Sequence, residues 1–366
     1  MKNRKIHVVH VITTIERGGA ENAVLALTRE QVRNGYQVVV IPLKGKLELE
    51  NEFILAGVTI DASLIAQSFL SQVMMFRKKY NEGVIFHGHL PRSELLLRLC
   101  KSRYRFFVTR HNAEKFFPNA PSFVSKLLSR FVTHKSESVL AISQAVLHFL
   151  IESKEISKKS QSSVIYYGYS RRCKYDKNKK QGFTLNQKTL RIGTISRLAP
   201  QKNLTMLIQL GTQLKARHQA FLIQIVGTGP DKPLLESRVK EIGLENEILF
   251  LGKQSDVMPF LQKQDVFVLT SNYEGFGLVL LEAMDATLPI IASRNSAIPE
   301  VLGESHPGLF KTGDSGSLFR TLIGALQLSG TYDEMMKIQS TQLNFFSIEK
   351  YFCAHHDLYT RSKTEV

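Results

Sequence analysis

The chain of 366 residues has no tryptophan and only three cysteines. Cys100, Cys173 and Cys353 lie far apart, which excludes a disulfide framework and any zinc-finger spacing. A reducing cytoplasm is therefore the expected compartment. No apolar run of about 18 residues or more occurs, so no membrane-spanning helix is expected. The basic start Met1-Lys-Asn-Arg-Lys-Ile-His7 leads into a short strand pattern broken by His10. It lacks the apolar block and cleavage site of a secretory leader, so none is expected. Acidic residues are also scarce, with 32 Asp/Glu against 48 Lys/Arg and a formal net charge of +16. Residues 1–170 hold most of that excess, 24 Lys/Arg against 13 Asp/Glu. Such a basic half suits nucleic acid, an anionic membrane face or an anionic substrate. No helix-turn-helix, zinc finger or aromatic RNA-binding signature accompanies it, so nucleic acid is not an expected partner.

What is present describes an ordinary globular chain, 43% hydrophobic and 22% charged, with length for two domains. Strand and helix patterns alternate nearly throughout, the mark of α/β layers on parallel sheets. Strands are expected at 7–12, 37–43, 84–87, 106–109, 139–142 and 163–166, then at 191–195, 221–226, 248–251, 266–269 and 289–292. Helical patterns lie between them at 20–34, 64–80, 94–100 and 144–152. In the second half they lie at 204–216, 233–242, 257–262 and 278–284. A last helix over about 347–359 carries Ile348, Tyr351, Phe352 and Leu358 at helical spacing. The basic, polar segment 170–188 reads as a connection between two domains.

The segment Ser271-Asn-Tyr-Glu-Gly-Phe-Gly-Leu-Val-Leu-Leu-Glu-Ala-Met284 carries the most chemistry. A strand enters a turn with Gly275 and Gly277, and an apolar periodic segment leaves it. Such a turn points free backbone N–H groups and the positive end of a helix at one place. Glu274 precedes the helix and Glu282 lies within it, so the two carboxylates can hold different parts of one extended ligand. A nucleotide sugar fits that description. A pair of glutamates eight apart is commonplace on helices. Set in Tyr-Glu-Gly-Phe-Gly-Leu-Val-Leu-Leu-Glu-Ala-Met it resembles the signature of the retaining glycosyltransferases of family 4. The resemblance implies the GT-B fold, α/β with two Rossmann-like doubly wound domains facing across a cleft. It implies an N-terminal acceptor domain over 1–169 completed by a returning helix over 347–366. A nucleotide-sugar donor domain is then expected over 189–346.

Further motifs follow the same order as in that family. Ile195-Ser-Arg-Leu-Ala-Pro-Gln-Lys-Asn203 places Arg197 and Lys202 between a strand and a helix, where open α/β sheets bind ligands. Two fixed cations there favour a diphosphate leaving group as its charge grows. Gly18 and Gly19 occupy a strand-to-helix turn that resembles the family's first-domain glycine loop, implied to close over the donor diphosphate. His111, in Val108-Thr-Arg-His-Asn112, matches a histidine kept near the donor sugar. His87 and His89 suit a metal by composition, but no nearby Asp or Cys completes a site, and none is expected. Ile225-Val-Gly-Thr-Gly-Pro-Asp231 begins like a dinucleotide fingerprint, yet Lys232 stands where the third glycine would. Gly227 then belongs to the family's own turn near the nucleotide, and Lys253 lies near the base.

The resemblance thus implies a retaining, metal-independent transferase needing no cofactor. Glu274, Arg197, Lys202 and His111 form its reacting centre. Gly18, Gly19, Gly227, Lys253, Gly275, Phe276, Gly277, Leu278 and Glu282 bind a nucleotide diphosphate sugar, with UDP the expected base. The acceptor is a glycan or a lipid-linked oligosaccharide of a bacterial envelope. Two departures stand out: Thr287 and Ser296 occupy positions where the family commonly has glycine. A helical stripe Ile65, Phe69, Val73 and Phe76 before Arg77-Lys-Lys79, and the mixed aromatics and cations of 115–130, fit either a core face or an anionic membrane. Such contact would place the chain peripherally on the inner face of a membrane. Alternative readings are a GT-B epimerase or phosphorylase, or a non-catalytic glycan- or membrane-binding protein.

Overall fold

A computed structural model describes residues 6–80, 84–100, 105–157, 160–172 and 189–361. They form two compact units, Met1–Ser170 with Phe346–Val366, and Arg171–Phe345. Most of the expected connection 170–188, Cys173 included, lies outside the described residues.

In the first unit the strands are β1 (His7–Ile12), β2 (Gln37–Pro42), β3 (Thr59–Ile60), β4 (Ile85–His89), β5 (Arg105–Arg110), β6 (Val139–Ala141) and β7 (Ser162–Val164). Helices α1 (Gly19–Arg33), α2 (Glu50–Leu55), α3 (Phe69–Lys79), α4 (Pro91–Cys100), α5 (Ser122–Thr133) and α6 (Gln144–Glu152) connect them. The sheet runs β3-β2-β1-β4-β5-β6-β7 with every pair parallel. Its central strands are buried along nearly their whole length, as helices on both faces require. Their polar positions His10, His87 and His89 are buried with the rest and must find partners inside the unit.

The second unit repeats the plan. Strands β8 (Leu190–Ile195), β9 (Phe221–Val226), β10 (Ile248–Gly252), β11 (Val266–Leu269), β12 (Ile290–Ser293) and β13 (Leu309–Phe310) alternate with helices. These are α7 (Thr205–Ala216), α8 (Lys232–Glu241), α9 (Met258–Leu261), α10 (Leu278–Asp285), α11 (Ile298–Leu302), α12 (Ser315–Gln327) and α13 (Ser329–Phe345). The order is β10-β9-β8-β11-β12-β13, again all parallel. Ile192, Ile223, Val266 and Ile291 of the sheet meet Leu207, Leu210 and Leu214 of α7 and Leu318 and Leu322 of α12 in one core.

Helix α14 (Ile348–Thr360) returns to the first unit. Its start is held by Tyr169 N–H donating to Phe346 O at 2.8 Å and Ile348 N–H donating to Tyr169 O at 3.2 Å. The buried face is Ile348, Tyr351, His355 and Tyr359; Phe352 and Leu358, expected on it, are only half-buried at its flanks. The helix expected from residue 64 begins instead at Phe69, capped by Ser68, whose hydroxyl accepts from Ser71 N–H. Ile65 therefore lies outside it. Val73 and Phe76 of that stripe are buried, so the stripe faces the unit's own core.

Thr287 and Ser296 have φ of +57° and +54°. The left-handed backbone that glycine would supply is thus kept by side chains that resist it, at a cost of about 1 kcal/mol each. Thr287→Gly should relieve its strain, and the lost backbone restriction of the unfolded chain offsets part of the gain. A thermal melt should show a midpoint equal to or higher than that of the unsubstituted chain. A clear fall would mean that the Thr287 side chain contributes contacts outweighing its strain.

Candidate active site

In the second sheet the chain moves outward from β8 through β9 to β10, then returns to β11 on the other side of β8. The loops leaving β8 and β11 depart from neighbouring strands toward opposite faces, and open α/β sheets bind ligands at such a point. The loop after β8 carries Arg197 and Lys202; the loop after β11 carries Glu274. Lys202 Nζ donates to Glu274 Oε1 at 2.6 Å. Ser271 Oγ donates to the same oxygen at 2.7 Å.

A ladder of contacts fixes the two loops to each other. Asn272 N–H donates to Gln201 O at 2.8 Å, Gln201 Nε2 donates to Tyr273 O at 2.9 Å, and Thr270 Oγ1 donates to Lys202 O at 2.9 Å. Asn203, at φ +46°, turns the chain from Lys202 into α7. Glu274 is almost fully buried, so its carboxylate depends on the lysine and the serine for compensation. Arg197 is exposed and has no side-chain partner among the described residues. The two cations differ accordingly: Lys202 is pinned by Glu274, and Arg197 is exposed in the same loop.

Gly227 shows why Arg197 sits where it does. Its φ is +136°, and a Cβ there would stand 1.9 Å from Ser196 O. The turn after β9 packs backbone against backbone on the Arg197 loop, with Leu198 N–H donating to Thr228 O at 3.0 Å and Asp231 N–H to Leu198 O at 3.0 Å. Gly227 therefore positions the loop. Gly227→Ala should cost well over 1 kcal/mol of stability, read as a lowered melting midpoint. A melt unchanged from the parent would mean that the turn shifts freely.

Helix α10 starts at Leu278 with Gly277 as its cap at φ +88° and no side chain closing its first amides. The N–H groups of Gly277 and Leu278, at the uncapped start of the helix, thus face outward to an anion or a hydroxyl. Phe276 is buried, so only its backbone belongs to the site. Glu282 lies one turn into α10. Desolvation pushes its carboxyl up to about 7, with Arg172 opposing and Asp256 adding to the rise. Lys253 follows β10, one strand further from the switch point, and its side chain is exposed.

The first sheet reverses between β1 and β4. Gly18 caps α1 and Gly19 begins it; a Cβ on Gly19 would meet nothing within 4 Å, so the fold itself does not demand glycine there. Glu21 sits in the first turn of α1, accepting from Thr14 Oγ1 at 2.9 Å. It already supplies negative charge to that helix start.

His111 is buried, and both ring nitrogens are occupied. Nδ1 meets the Tyr167 hydroxyl, and Nε2 lies 3.1 Å from His89 Nδ1. His89 Nε2 lies 2.9 Å from His10 Nδ1, and His10 Nε2 lies 2.9 Å from Gln31 Oε1. With Gln31 presenting its oxygen, every tautomer follows: His10, His89 and His111 each carry the proton on Nε2, and Tyr167 donates to His111. Burial drives His111 down to about 3. Its ring is therefore neutral and saturated, and only the backbone can serve a substrate. Beside it lies a cavity of about 100 Å³ lined by Glu94, Arg110, Asn112 and Lys115 among others.

His10, His87 and His89 bring ligand atoms within 4.8 Å of one another, a set the sequence pattern missed because His10 comes from β1 and the others from β4. His87 is held by the Tyr359 hydroxyl at 2.5 Å and Thr109 Oγ1 at 2.7 Å. Every ring nitrogen of the three already has a protein partner, so the set is built as a hydrogen-bonded layer. Burial lowers His10 and His355 to about 4, and His87 and His89 well below the usual histidine range. Because these folded-state values lie below 6.5, the unfolded chain binds more protons between about pH 4 and 6.5. The stability that neutrality confers is present above about pH 6.5 and lost as pH falls toward 4. Glu94 and Glu282, both pushed up to about 7, act in the opposite sense but are fewer than the histidines. The melting midpoint should fall clearly between pH 7 and pH 4.5; a flat profile would show that the rings are already charged in the folded chain.

Two family descriptions match the chain: Glycosyltransferase Family 4 over residues 17–170 and Glycosyl transferases group 1 over residues 176–340. N-acetyl-alpha-D-glucosaminyl L-malate synthase of Bacillus anthracis is 29% identical over 228 residues, 60% of this chain and 58% of that protein. The match thus spans less than two thirds of that relative. The putative glycosyltransferase EpsF of Bacillus subtilis is 24% identical over 80% of each chain. In fold, the chain is similar to Anabaena Alr3699/HepE crystallised with UDP-glucose, at a TM-score of 0.82, 17% identity, and 97% and 99% coverage of the two chains. Sucrose-phosphate synthase from Thermosynechococcus elongatus gives a TM-score of 0.75 at 17% identity, over 97% and 98%. With two parallel doubly wound sheets of the GT-B type and family matches in both units, the chain belongs to glycosyltransferase family 4.

Proposed function

We propose that the chain is a retaining, metal-independent glycosyltransferase. It moves a sugar from a UDP-sugar to a glycan or lipid-linked acceptor in envelope polysaccharide or oligosaccharide synthesis. The observation that carries this reading is the Lys202–Glu274 pair at the switch point of the second sheet, with Arg197 unpaired in the same loop. The relatives' names and the UDP-glucose complex of the Anabaena protein support it by analogy.

On this reading the donor diphosphate lies between Arg197, Lys202 and the open amides at the start of α10. As the bond from the anomeric carbon to the phosphate oxygen breaks, negative charge grows where the two cations are fixed. The acceptor oxygen bonds to the anomeric carbon on the same face, and its proton passes to the departing diphosphate. Arg197 and Lys202 take the part a divalent ion plays elsewhere, so no cofactor is required. Glu274 accepts from sugar hydroxyls, and Glu282 from those of the ribose. His111 supports the sugar through its backbone, since its ring is occupied.

Thermal shift with UDP, GDP, ADP and their sugars tests the donor site. UDP ligands should raise the melting midpoint, equally with EDTA, and Arg197→Ala should abolish the rise. Lys202→Ala should lower kcat/KM about 100-fold. No shift with any nucleotide, or one abolished by EDTA, would overturn the reading. Glu282 adds a pH dependence. Its ionised form accepts hydroxyl protons better, so UDP affinity should increase from pH 6 to pH 8, and Glu282→Gln should flatten that rise relative to the parent.

A further inference from the structure

Helix α5 is built inside out. Its inward face is Ser125, Ser129, Val132 and Thr133, and its outward face is Phe123, Leu127 and Phe131. The outward side chains are 67%, 63% and 41% exposed. A soluble helix ordinarily turns its large apolar residues inward.

Here the polar face is locked in place. Ser129 Oγ accepts from Arg110 Nη2 at 2.8 Å and donates to Glu155 O at 2.7 Å. Ser125 Oγ accepts from Phe117 N–H at 3.0 Å, and Thr133 Oγ1 accepts from Ser157 N–H at 3.1 Å. Arg110 itself sits between Glu94 at 3.0 Å and Glu155 at 3.6 Å. Arg110 needs the Ser129 hydroxyl, and the amides of Phe117 and Ser157 need those of Ser125 and Thr133, so the helix cannot roll to hide its phenylalanines.

The same layer continues through α4 to α3. Arg98 of α4 stacks over the Phe131 ring at 4.0 Å, and Arg77 of α3 donates to Leu99 O. On α3, Leu70 and Met74 are 73% and 65% exposed, beside exposed Arg77 and Lys78. Exposed apolar side chains are thus interleaved with Arg77, Lys78, Lys126 and Arg130, and neither α3 nor α5 contains an Asp or Glu. Single exposed leucines are normal; two helices that flank α4 and both expose apolar residues beside cations are not.

We propose that the outer face of α5 and α3 docks on an anionic lipid surface. The aromatic and aliphatic side chains enter the headgroup boundary and the cations meet lipid phosphates. A surface of one charge sign complements anionic lipid, whereas a second copy of this face would repel the first. This goes beyond the donor reading and does not depend on it.

The full chain, without nucleotide, is sedimented with vesicles of phosphatidylcholine alone or mixed with phosphatidylglycerol. It should pellet with the anionic vesicles only, and less as salt is raised. Phe123→Ser with Leu127→Ser should lower the partition at least about tenfold, with an unchanged melting midpoint because both side chains are exposed. Lys126→Gln with Arg130→Gln should weaken it most at low salt and provides a second route should the serine pair fold poorly. Absence of binding to anionic vesicles, or equal binding of both variant pairs and the parent, overturns the proposal. A parent that runs as a dimer and becomes monomeric on Phe123→Ser with Leu127→Ser also overturns it. Vesicle binding in a chain that gives no thermal shift with UDP would sustain this surface and sink the donor reading.

Discussion

A parallel sheet laid down from its centre outward must send two neighbouring strands' loops to opposite faces, leaving a gap that backbone cannot fill. Both sheets of this chain have that reversal, between β1 and β4 and between β8 and β11. The candidate groups gather around those two points because each arises where a strand ends beside the gap. In the second unit the gap is bordered by two loops fixed to each other through Gln201, Asn272 and Thr270. Arg197 is held less by its own contacts than by the backbone of the glycine turn behind it.

The first unit meets the same constraint with different chemistry. Its strands β1 and β4 and the end of β5 present His10, His87, His89 and His111, whose hydrogen-bonding capacity is taken up by one another and by Gln31, Thr109, Tyr167 and Tyr359. The layer is polar, dry and neutral. It also joins α14, the last helix of the chain, to the ends of β4 and β5, so a distant part of the sequence completes the unit. Where the first unit buries Arg110 with Glu94 and Glu155, Ser129 of α5 is recruited inward and the helix turns its polar face to the core.

The central strands and the longer periodic helices were legible because burial on both faces writes itself as apolar runs and a 3.6-residue period. The edge strands β3 and β13 are two residues long and leave no such trace. The candidate donor-site residues were singled out by their order and spacing in a family motif. Their pairing was not legible, since the distance from Lys202 to Glu274 depends on which strands become neighbours. For the same reason His10 was not linked to His87 and His89. Thr287 and Ser296 read as departures from a glycine pattern, but a sequence cannot show that the left-handed backbone is kept by strain. Two stretches read as either core or membrane face: the stripe of α3 is core at Val73 and Phe76, while α5, with serines on the period of its buried face, exposes Phe123, Leu127 and Phe131.

Consider the Lys202–Glu274 pair once more as a resident of the site in its own right. The lysine's charge is taken up by a carboxylate almost without access to water. On the proposed donor reading, an arriving diphosphate would compete for that lysine, and Glu274 would lose its cation and retain only Ser271. A ligand carrying sugar hydroxyls can compensate the stranded carboxylate; the same nucleotide diphosphate without its sugar cannot. On that reading one ion pair would discriminate between substrate and spent product, tightening the grip on what has yet to react and loosening it on what must leave.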